Sequence, residues 1–373
     1  AFDSSILADM KSTRGLGASI PAVLTAALLS LPAAHAGFNS APVATRENLP
    51  AYLIYLLPVP ETAELTKKGE WKITVATSLS NSFVGTDGFR SMSSPIPGER
   101  LTVDQALVDS YLAANPGDDL FFIDGEVLRS ALRIAWGASD RVELGLEIPL
   151  IRYSGGIMDP LIENFHENFG FPDDGRSNYQ REAFNVVLYL GGSEFLFTNP
   201  SNKLGVGDIT FSAKTRLYRS AETGATIAGS AYLKFPTGSE EDLFGSGSAD
   251  FGFQAHFTRE WKRHAMHLGL GAVHLGSWDL VPEIDPEDYI FGSGSYEFLM
   301  TEIWSLLAQL GITASPYRDI TTDDLADPSI RFNAGFRWRF ASGLTLEGLI
   351  EENLTRTNSS ADFGIFFGLN FGF

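Results

Sequence analysis

Chemistry in a protein begins with its nucleophiles and proton carriers, and this sequence holds few. Its 373 residues include 0 cysteines and 6 histidines. Disulfides, thiolate metal sites and cysteine catalysis are therefore excluded. His-x-Ser with an Asn nearby would suit a serine hydrolase, but His274 is followed by Leu275-Gly276-Ser277. His166, His256, His264 and His267 show no such partner, and no carboxylate stands at metal-ligand spacing from His256 or His267. Gly205-Val206-Gly207 opens a strand with no helix behind it, so it is not a phosphate cradle. These residues argue against an enzyme, and they require neither a cofactor nor a metal.

What remains is charge. The net charge of −19 makes nucleic acid a poor partner. Acidic clusters occur at Asp173-Asp174, at Glu240-Glu241-Asp242, at Asp285-Pro286-Glu287-Asp288, and at Asp323-Asp324 with Asp327. Such clusters can hold divalent cations that bridge to lipopolysaccharide phosphates, but the glycine turn of a dedicated calcium loop is missing. A solvated rim is the favoured reading. A second set of charges alternates with apolar residues along the chain: Arg129, Arg133, Glu143, Glu147, Lys214, Arg216, Arg331, Arg337, Arg339, Glu347 and Glu351.

The elements that carry this second set are strands. Phe363, Ile365, Phe367, Leu369, Phe371 and Phe373 share one face of the last segment, and Gly364, Phe366, Gly368, Asn370 and Gly372 share the other. Ile330, Phe332, Ala334, Phe336, Trp338 and Phe340 repeat the pattern, interleaved with Arg331, Asn333, Gly335, Arg337 and Arg339. About twelve such segments follow residue 70, each near the length of a tilted strand that crosses an outer membrane. They span 70–83, 121–137, 141–153, 205–219, 224–237, 250–262, 264–277, 289–301, 303–316, 329–340, 344–354 and 362–373. Short turns at 138–140, 220–223, 262–264 and 341–343 alternate with long polar loops at 84–119, 154–204, 239–249, 278–288, 317–327 and 355–361. That alternation predicts an all-β, transmembrane, antiparallel outer-membrane barrel with periplasmic turns and external loops.

In such a barrel the polar face points to the lumen. Folding across 341–343 sets Arg337 near Glu347 and Asn333 near Glu351. Folding across 138–140 sets Arg129 and Arg133 near Glu143 and Glu147. The lining is then either a polar conduit or a packed interior of ion pairs.

Three further segments complete the organisation. Met10-Lys11-Ser12-Thr13-Arg14, an apolar run over 15–31 and Ala34-His35-Ala36 read as a secretory signal peptide cleaved near Ala36, with an upstream extension, so that 1–36 is removed. Residues 37–69 precede the barrel of 70–373. Within them Tyr52-Leu53-Ile54-Tyr55-Leu56-Leu57 is too apolar for a free tail, so 48–65 is expected as a plug or a cover of the periplasmic mouth, with an extra strand or a dimer contact as the alternative. The loop 154–204 is longer than an ordinary connection. Leu161, Ile162, Phe165 and Phe169 fall at helical spacing over 159–169, with a stop at Gly170 and Pro172. Apolar pieces at 184–190 and 194–198 follow as a hairpin on this external loop. The expected result is an ordered, helix-containing lid. Phe165, His166, Phe169, Phe171 and Tyr179 would be the first contact for an apolar ligand, with Arg176 and Arg181 tied to the acidic rim.

Three motifs carry a resemblance. Gly155-Gly156-Ile157-Met158-Asp159-Pro160-Leu161-Ile162 leads into Phe165-His166-Glu167-Asn168-Phe169-Gly170-Phe171-Pro172-Asp173-Asp174-Gly175-Arg176. Gly205-Val206-Gly207-Asp208-Ile209 opens one strand, and Leu233-Lys234-Phe235-Pro236-Thr237-Gly238-Ser239 closes another. Together these resemble an outer-membrane family catalogued as domain of unknown function 3187, over most of the mature chain. The latter two also resemble barrels encoded with aromatic-compound (phenol meta-pathway) degradation. The resemblance implies location and fold, and no catalytic residue. It implies outer-membrane lipid, lipopolysaccharide and a small solute as partners. The terminal Phe373 resembles the signal read by the outer-membrane assembly machinery. Two functions follow: a channel or passive transporter for small, including hydrophobic, solutes, or a non-transporting structural or adhesive surface barrel.

Overall fold

The computed structural model describes residues 40–170, 173–198, 203–278, 286–318, 323–340, 343–354 and 359–373. The proposed signal peptide lies outside them, as does Phe171.

The strands are β1 (Trp71–Gly85), β2 (Leu120–Gly137), β3 (Val142–Ser154), β4 (Asn185–Leu190), β5 (Ser193–Thr198), β6 (Lys203–Val206), β7 (Ile209–Ser220), β8 (Ala225–Phe235), β9 (Asp250–Trp261), β10 (His264–His274), β11 (Tyr289–Leu299), β12 (Trp304–Thr313), β13 (Ser329–Arg339), β14 (Thr345–Asn353) and β15 (Phe363–Gly372). Twelve of them, all except β4, β5 and β6, close into an antiparallel barrel. Neighbours in sequence are neighbours in the wall, and β15 pairs with β1 from Lys72↔Gly372 to Asn81↔Phe363. Phe373 completes that seam: its N–H donates to the Trp71 carbonyl at 2.9 Å, and Trp71 N–H donates back at 2.8 Å. Closure leaves the twelve-strand wall without an edge, which is what lets strands cross a bilayer.

Alternation dictates the two faces. In β8 and β9 each buried residue is followed by a more exposed one, and Phe251, Phe253, Leu268, Leu270, Leu306, Ile312, Ile350 and Phe367 all present apolar side chains outward. At the short-turn end the aromatics gather: Trp71 stacks on Trp136 at 5.8 Å, Trp304 on Trp338 at 4.9 Å, and Trp338 on Phe340 at 4.5 Å. An apolar band ending in an aromatic girdle is the pattern of a membrane-embedded wall.

The loop end is folded, not loose. The stretch 84–119, expected as a polar loop, contains α2 (Asp87–Arg90) and α3 (Gln105–Ala114). The Asp104 carboxylate caps α3 by accepting the Leu107 N–H at 2.9 Å. Phe89, Val108 and Tyr111 then pack with Phe83, Phe122, Tyr179 and Val187 in a core of their own. The β4–β5 hairpin pairs with the outer end of β2 (Leu120↔Tyr189 to Asp124↔Asn185), where β3 has already left the sheet. Residues 205–219 do not form one strand, as expected, but two: β6 pairs with β3, then Gly207-Asp208 breaks the ladder before β7. The break turns the Asp208 side chain into the barrel, where it meets Lys234 at 2.7 Å.

Candidate functional site

The residues that could act are those facing the lumen, and the structure fills that lumen with the chain's own N-terminal segment. Residues 40–66 run from the turn end toward the loop end, reverse through α1 (Pro50–Leu53), and return to start β1. Along the first leg, the Ser40 hydroxyl donates to Glu260. The Ala41 carbonyl accepts from Arg337 Nη2 at 2.6 Å, and Val43 exchanges two bonds of 3.0 Å with Gln309. The Glu47 carboxylate, near the loop end, accepts from Ser329 at 2.6 Å, Ser360 at 2.7 Å and Ala361 N–H at 3.0 Å. On the return leg, Ala63 N–H donates to Thr258 at 2.9 Å, and Thr66 N–H to Glu143 at 2.6 Å.

The reversal is the apolar part. Leu49, Tyr52, Ile54, Leu56 and Leu57 bury against Val84, Ile123, Val186, Phe244, Tyr289 and Tyr317. Short helices leave carbonyls without partners, and the wall supplies donors for them. Tyr317 donates to the Ala51 carbonyl, Lys234 Nζ to Ile54 O at 2.8 Å, and Tyr289 to Leu56 O. Asp250 meanwhile accepts the Leu56 N–H at 2.8 Å. Between Thr45, Asn48, Ser78, Glu351 and Phe366 about 10 Å³ stays open, room for a single water at most. The plug therefore fits its barrel by side-chain contacts and not by a strand ladder.

Two charge networks line the walls it touches. In the first, Arg133 faces Glu147 in the β2–β3 register and reaches it at 3.1 Å; Arg129 reaches the same carboxylate at 2.6 Å, and Arg46 of the plug at 2.5 Å. Glu143 departs from expectation. It stands opposite Gly137 and pairs with Lys214 of β7 at 2.8 Å, because it lies too near the turn to meet either arginine. In the second network, Arg337 faces Glu347 and binds it at 2.6 Å, and the same guanidinium donates to Glu297 of β11. Arg339 also donates to Glu297, and reaches Ser305 at 2.6 Å. Arg331 lies between Glu351 at 3.5 Å and the plug's Glu47 at 3.4 Å, while Asn333 faces Glu351. Arg216 is set apart: a register shift follows it, and its guanidinium caps the Asp140 carbonyl at the turn-end rim.

The lid residues are distributed differently from the expectation. The helix α4 (Asp159–Phe169) forms as expected, but Leu161 is 63 % exposed while Ile162 packs inward. The side chains of Phe165, His166 and Phe169 lie outside the described parts. Tyr179 cannot greet a ligand, for it is buried among Phe83, Phe89 and Phe122. Arg176 is buried too. It binds Asp159 at 3.0 Å and Asp362 at 2.9 Å and lies 4.9 Å over the Phe83 ring, so it joins the lid to the last loop and not to the acidic clusters. Arg181 turns to Glu163 of α4, which Arg100 also holds at 2.9 Å. Gly156 marks the start of the lid. Its φ is +74°, and a Cβ there would sit 1.8 Å from the Glu126 carboxyl carbon; the Oε1 of that carboxylate accepts the Ile157 N–H at 2.9 Å. Three carboxylates of the acidic clusters have basic partners: Asp288 with His274 at 2.8 Å, Glu287 with Arg318, and Asp242 with Lys203.

Several residues of the site were not legible as functional. Asp208 and Lys234 sit in two of the quoted motifs, yet only the fold joins them. Lys234 binds Asp208, Asp250 at 3.0 Å, Ser246 at 2.7 Å and the plug carbonyl. Glu297 had a usable signal, the parity of Ser293, Ser295 and Glu297 along one strand face. Glu47 and Glu61 had none, since nothing in an irregular segment announces its partners.

Comparison with known proteins agrees with this architecture. A family model described as "Protein of unknown function (DUF3187)" matches residues 19–373. The COG4313 outer membrane channel from Pseudomonas putida F1 superposes with a TM-score of 0.52 at 15 % identity, covering 83 % of this chain and 98 % of that one. The toluene transporter TbuX of Ralstonia pickettii gives 0.37 at 8 % identity, over 82 % of this chain and 89 % of that one. The toluene transporter TodX of Pseudomonas putida gives 0.33 at 11 %, over 81 % and 87 %. No curated protein sequence matches this chain. At such identities the first of these establishes the shared barrel fold, and the other two add no argument.

Proposed function

We propose a function for a chain that belongs to the family described as protein of unknown function (DUF3187): it is a bacterial outer-membrane channel for small solutes, closed in this structure by its own N-terminal segment. One observation carries the reading. The lumen is occupied by residues 40–66, which are attached to the wall by side-chain contacts and belong to no strand of the barrel. A conduit needs a charged lining and a plug, because charges tune passage and a plug prevents leakage.

The orientation follows the connections, with turns periplasmic and the folded loops external. Delivery by a cleaved signal peptide ending near Ala36 belongs to the same proposal. So does uptake of aromatic compounds, the class suggested by the resemblance to barrels encoded with aromatic-compound (phenol meta-pathway) degradation. No catalytic role is assigned.

Single-channel recording in planar bilayers tests this. The full-length protein should be mostly silent with rare steps, and loosening the plug should multiply them. A correctly folded barrel that stays silent after the plug is loosened would support the second reading, a surface barrel. The observation favouring that alternative is the packed core of Phe83, Phe89, Val108, Tyr111 and Phe122 beneath the external loops.

A further inference from the structure

The first charge network does not balance on the barrel wall. Arg129, Arg133 and Lys214 are three buried or half-buried cations, and the wall offers them Glu143 and Glu147. Glu147 is shared by Arg129, Arg133 and the plug's Arg46, and Glu143 is taken by Lys214 and the Thr66 N–H. Lys72, inward-facing on β1, adds another positive charge with no ion pair among the described residues. A surplus of buried cations is costly unless an anion meets it. The anion present is Glu61. One of its oxygens lies 2.5 Å from Arg133 Nη2 and the other 3.2 Å from Lys214 Nζ, so its carboxylate bridges a guanidinium and an ammonium.

Glu61 belongs to the plug, not the wall. Pro58 and Pro60 precede it, and their missing N–H groups keep this leg from pairing as a strand. When the plug leaves, Glu61 and Arg46 leave with it; Glu147 is then left to Arg129 and Arg133, and the Arg133–Lys214 pair loses the carboxylate between them.

We propose that Arg133 and Lys214 form a carboxylate-binding site in the lumen, that Glu61 occupies it as a built-in mimic in the closed state, and that the open channel favours small solutes bearing a carboxylate. The transport half of this rests on the channel reading above; the binding half does not.

Chemical rescue tests the binding half with the full chain. Thermal unfolding of Glu61→Ala in detergent is followed as sodium acetate or sodium chloride is added at equal ionic strength. Acetate should raise the midpoint where chloride does not. The wild type, whose site is filled, should not respond, and adding Arg133→Gln should abolish the effect. Equal responses to the two salts, or an acetate effect that survives R133Q together with Lys214→Gln, would overturn the site.

Should Glu61→Ala fail to fold, Glu61→Gln keeps the shape and removes the charge. Adding Arg133→Gln to it should shift the reversal potential of its conducting steps in a salt gradient toward cations; no shift, or one toward anions, contradicts the proposal. If every variant is silent in the bilayer while acetate still rescues E61A, the channel reading fails and the site stands.

Discussion

Arg337 ties together three groups of the lumen. It is 2 % exposed and serves Glu297, Glu347 and the Ala41 carbonyl at once. Arg337→Gln would leave two buried carboxylates facing each other, and breaking a buried pair costs ~3–5 kcal/mol. Glu347→Gln should cost less, because Glu297 still holds the guanidinium. Urea titration of the refolded barrel measures both. The reciprocal swap R337E/E347R should fail to restore stability, since it turns a carboxylate toward Glu297; full recovery would show that Glu297 contributes little.

Glu163 gives a pH-dependent prediction outside the membrane. Burial pushes its carboxyl up, but Arg181 and Arg100 outweigh that and hold it at about 2 against an ordinary 4.5. A depressed carboxyl stabilises the fold fully above its unfolded value, and the stability is lost as pH falls through the folded one. The lid helix should therefore stay protected to near pH 4.5 and loosen progressively toward pH 2. Hydrogen exchange across Asp159–Phe169 would follow this, and Glu163→Gln should flatten the response over that range.

At the scale of elements, the question is what holds the plug in its barrel. Its tip depends on Lys234, which joins Asp208 of the β6–β7 break, Asp250 of β9 and the Ile54 carbonyl. Hydrogen bonds to charged groups contribute ~1.5–3 kcal/mol each. Losing the one to the plug should shift plug occupancy on the order of 10- to 100-fold. Lys234→Met should then raise the frequency of conducting steps while the protein still assembles in the outer membrane. Unaltered gating in a folded K234M would remove the clamp role. The lid bears on the same equilibrium. Deleting residues 157–199 and splicing in a short turn would strip β4 from the outer end of β2 and uncover the apolar tip of the plug. Solute permeability should rise as a result.

For the whole molecule, orientation is the testable property. The segment 239–249 is a poor protease site despite its polar sequence, because Leu243 and Phe244 are buried and Tyr153 donates to the Leu243 carbonyl at 2.6 Å. Residues 93–99 between α2 and α3 are the better one, exposed through Pro95, Ile96, Pro97 and Gly98. Protease added to intact cells should cut there, and the turns at 138–140 and 221–224 should resist until the outer membrane is permeabilised. The reverse pattern would invert the proposed topology. The same packing makes the loop end a folded cap: its aromatic side chains bury one another and the tip of the plug.

Period-two alternation was enough to place all twelve wall strands, because a strand with lipid on one side and a lumen on the other must alternate along its whole length. The same parity put Arg337 opposite Glu347 and Asn333 opposite Glu351, since a short turn fixes the register of its hairpin. The reasoning held as long as the partners were neighbours in sequence. It lost hold at Glu143, whose partner Lys214 lies across a fifty-residue insertion, and at the lid, where Tyr179 and Arg176 were read as surface and are core. It could not reach Glu61, Glu47 or the Asp208–Lys234–Asp250 clamp. Those contacts join an irregular segment to a wall formed by distant strands, and irregular backbone carries no periodicity from which a partner can be read. The sequence alone therefore determined a barrel and, outside the break at Gly207-Asp208 and the register shift after Arg216, the face each strand residue takes. That the lumen is filled, and by which charges it is closed, was decided by the tertiary structure.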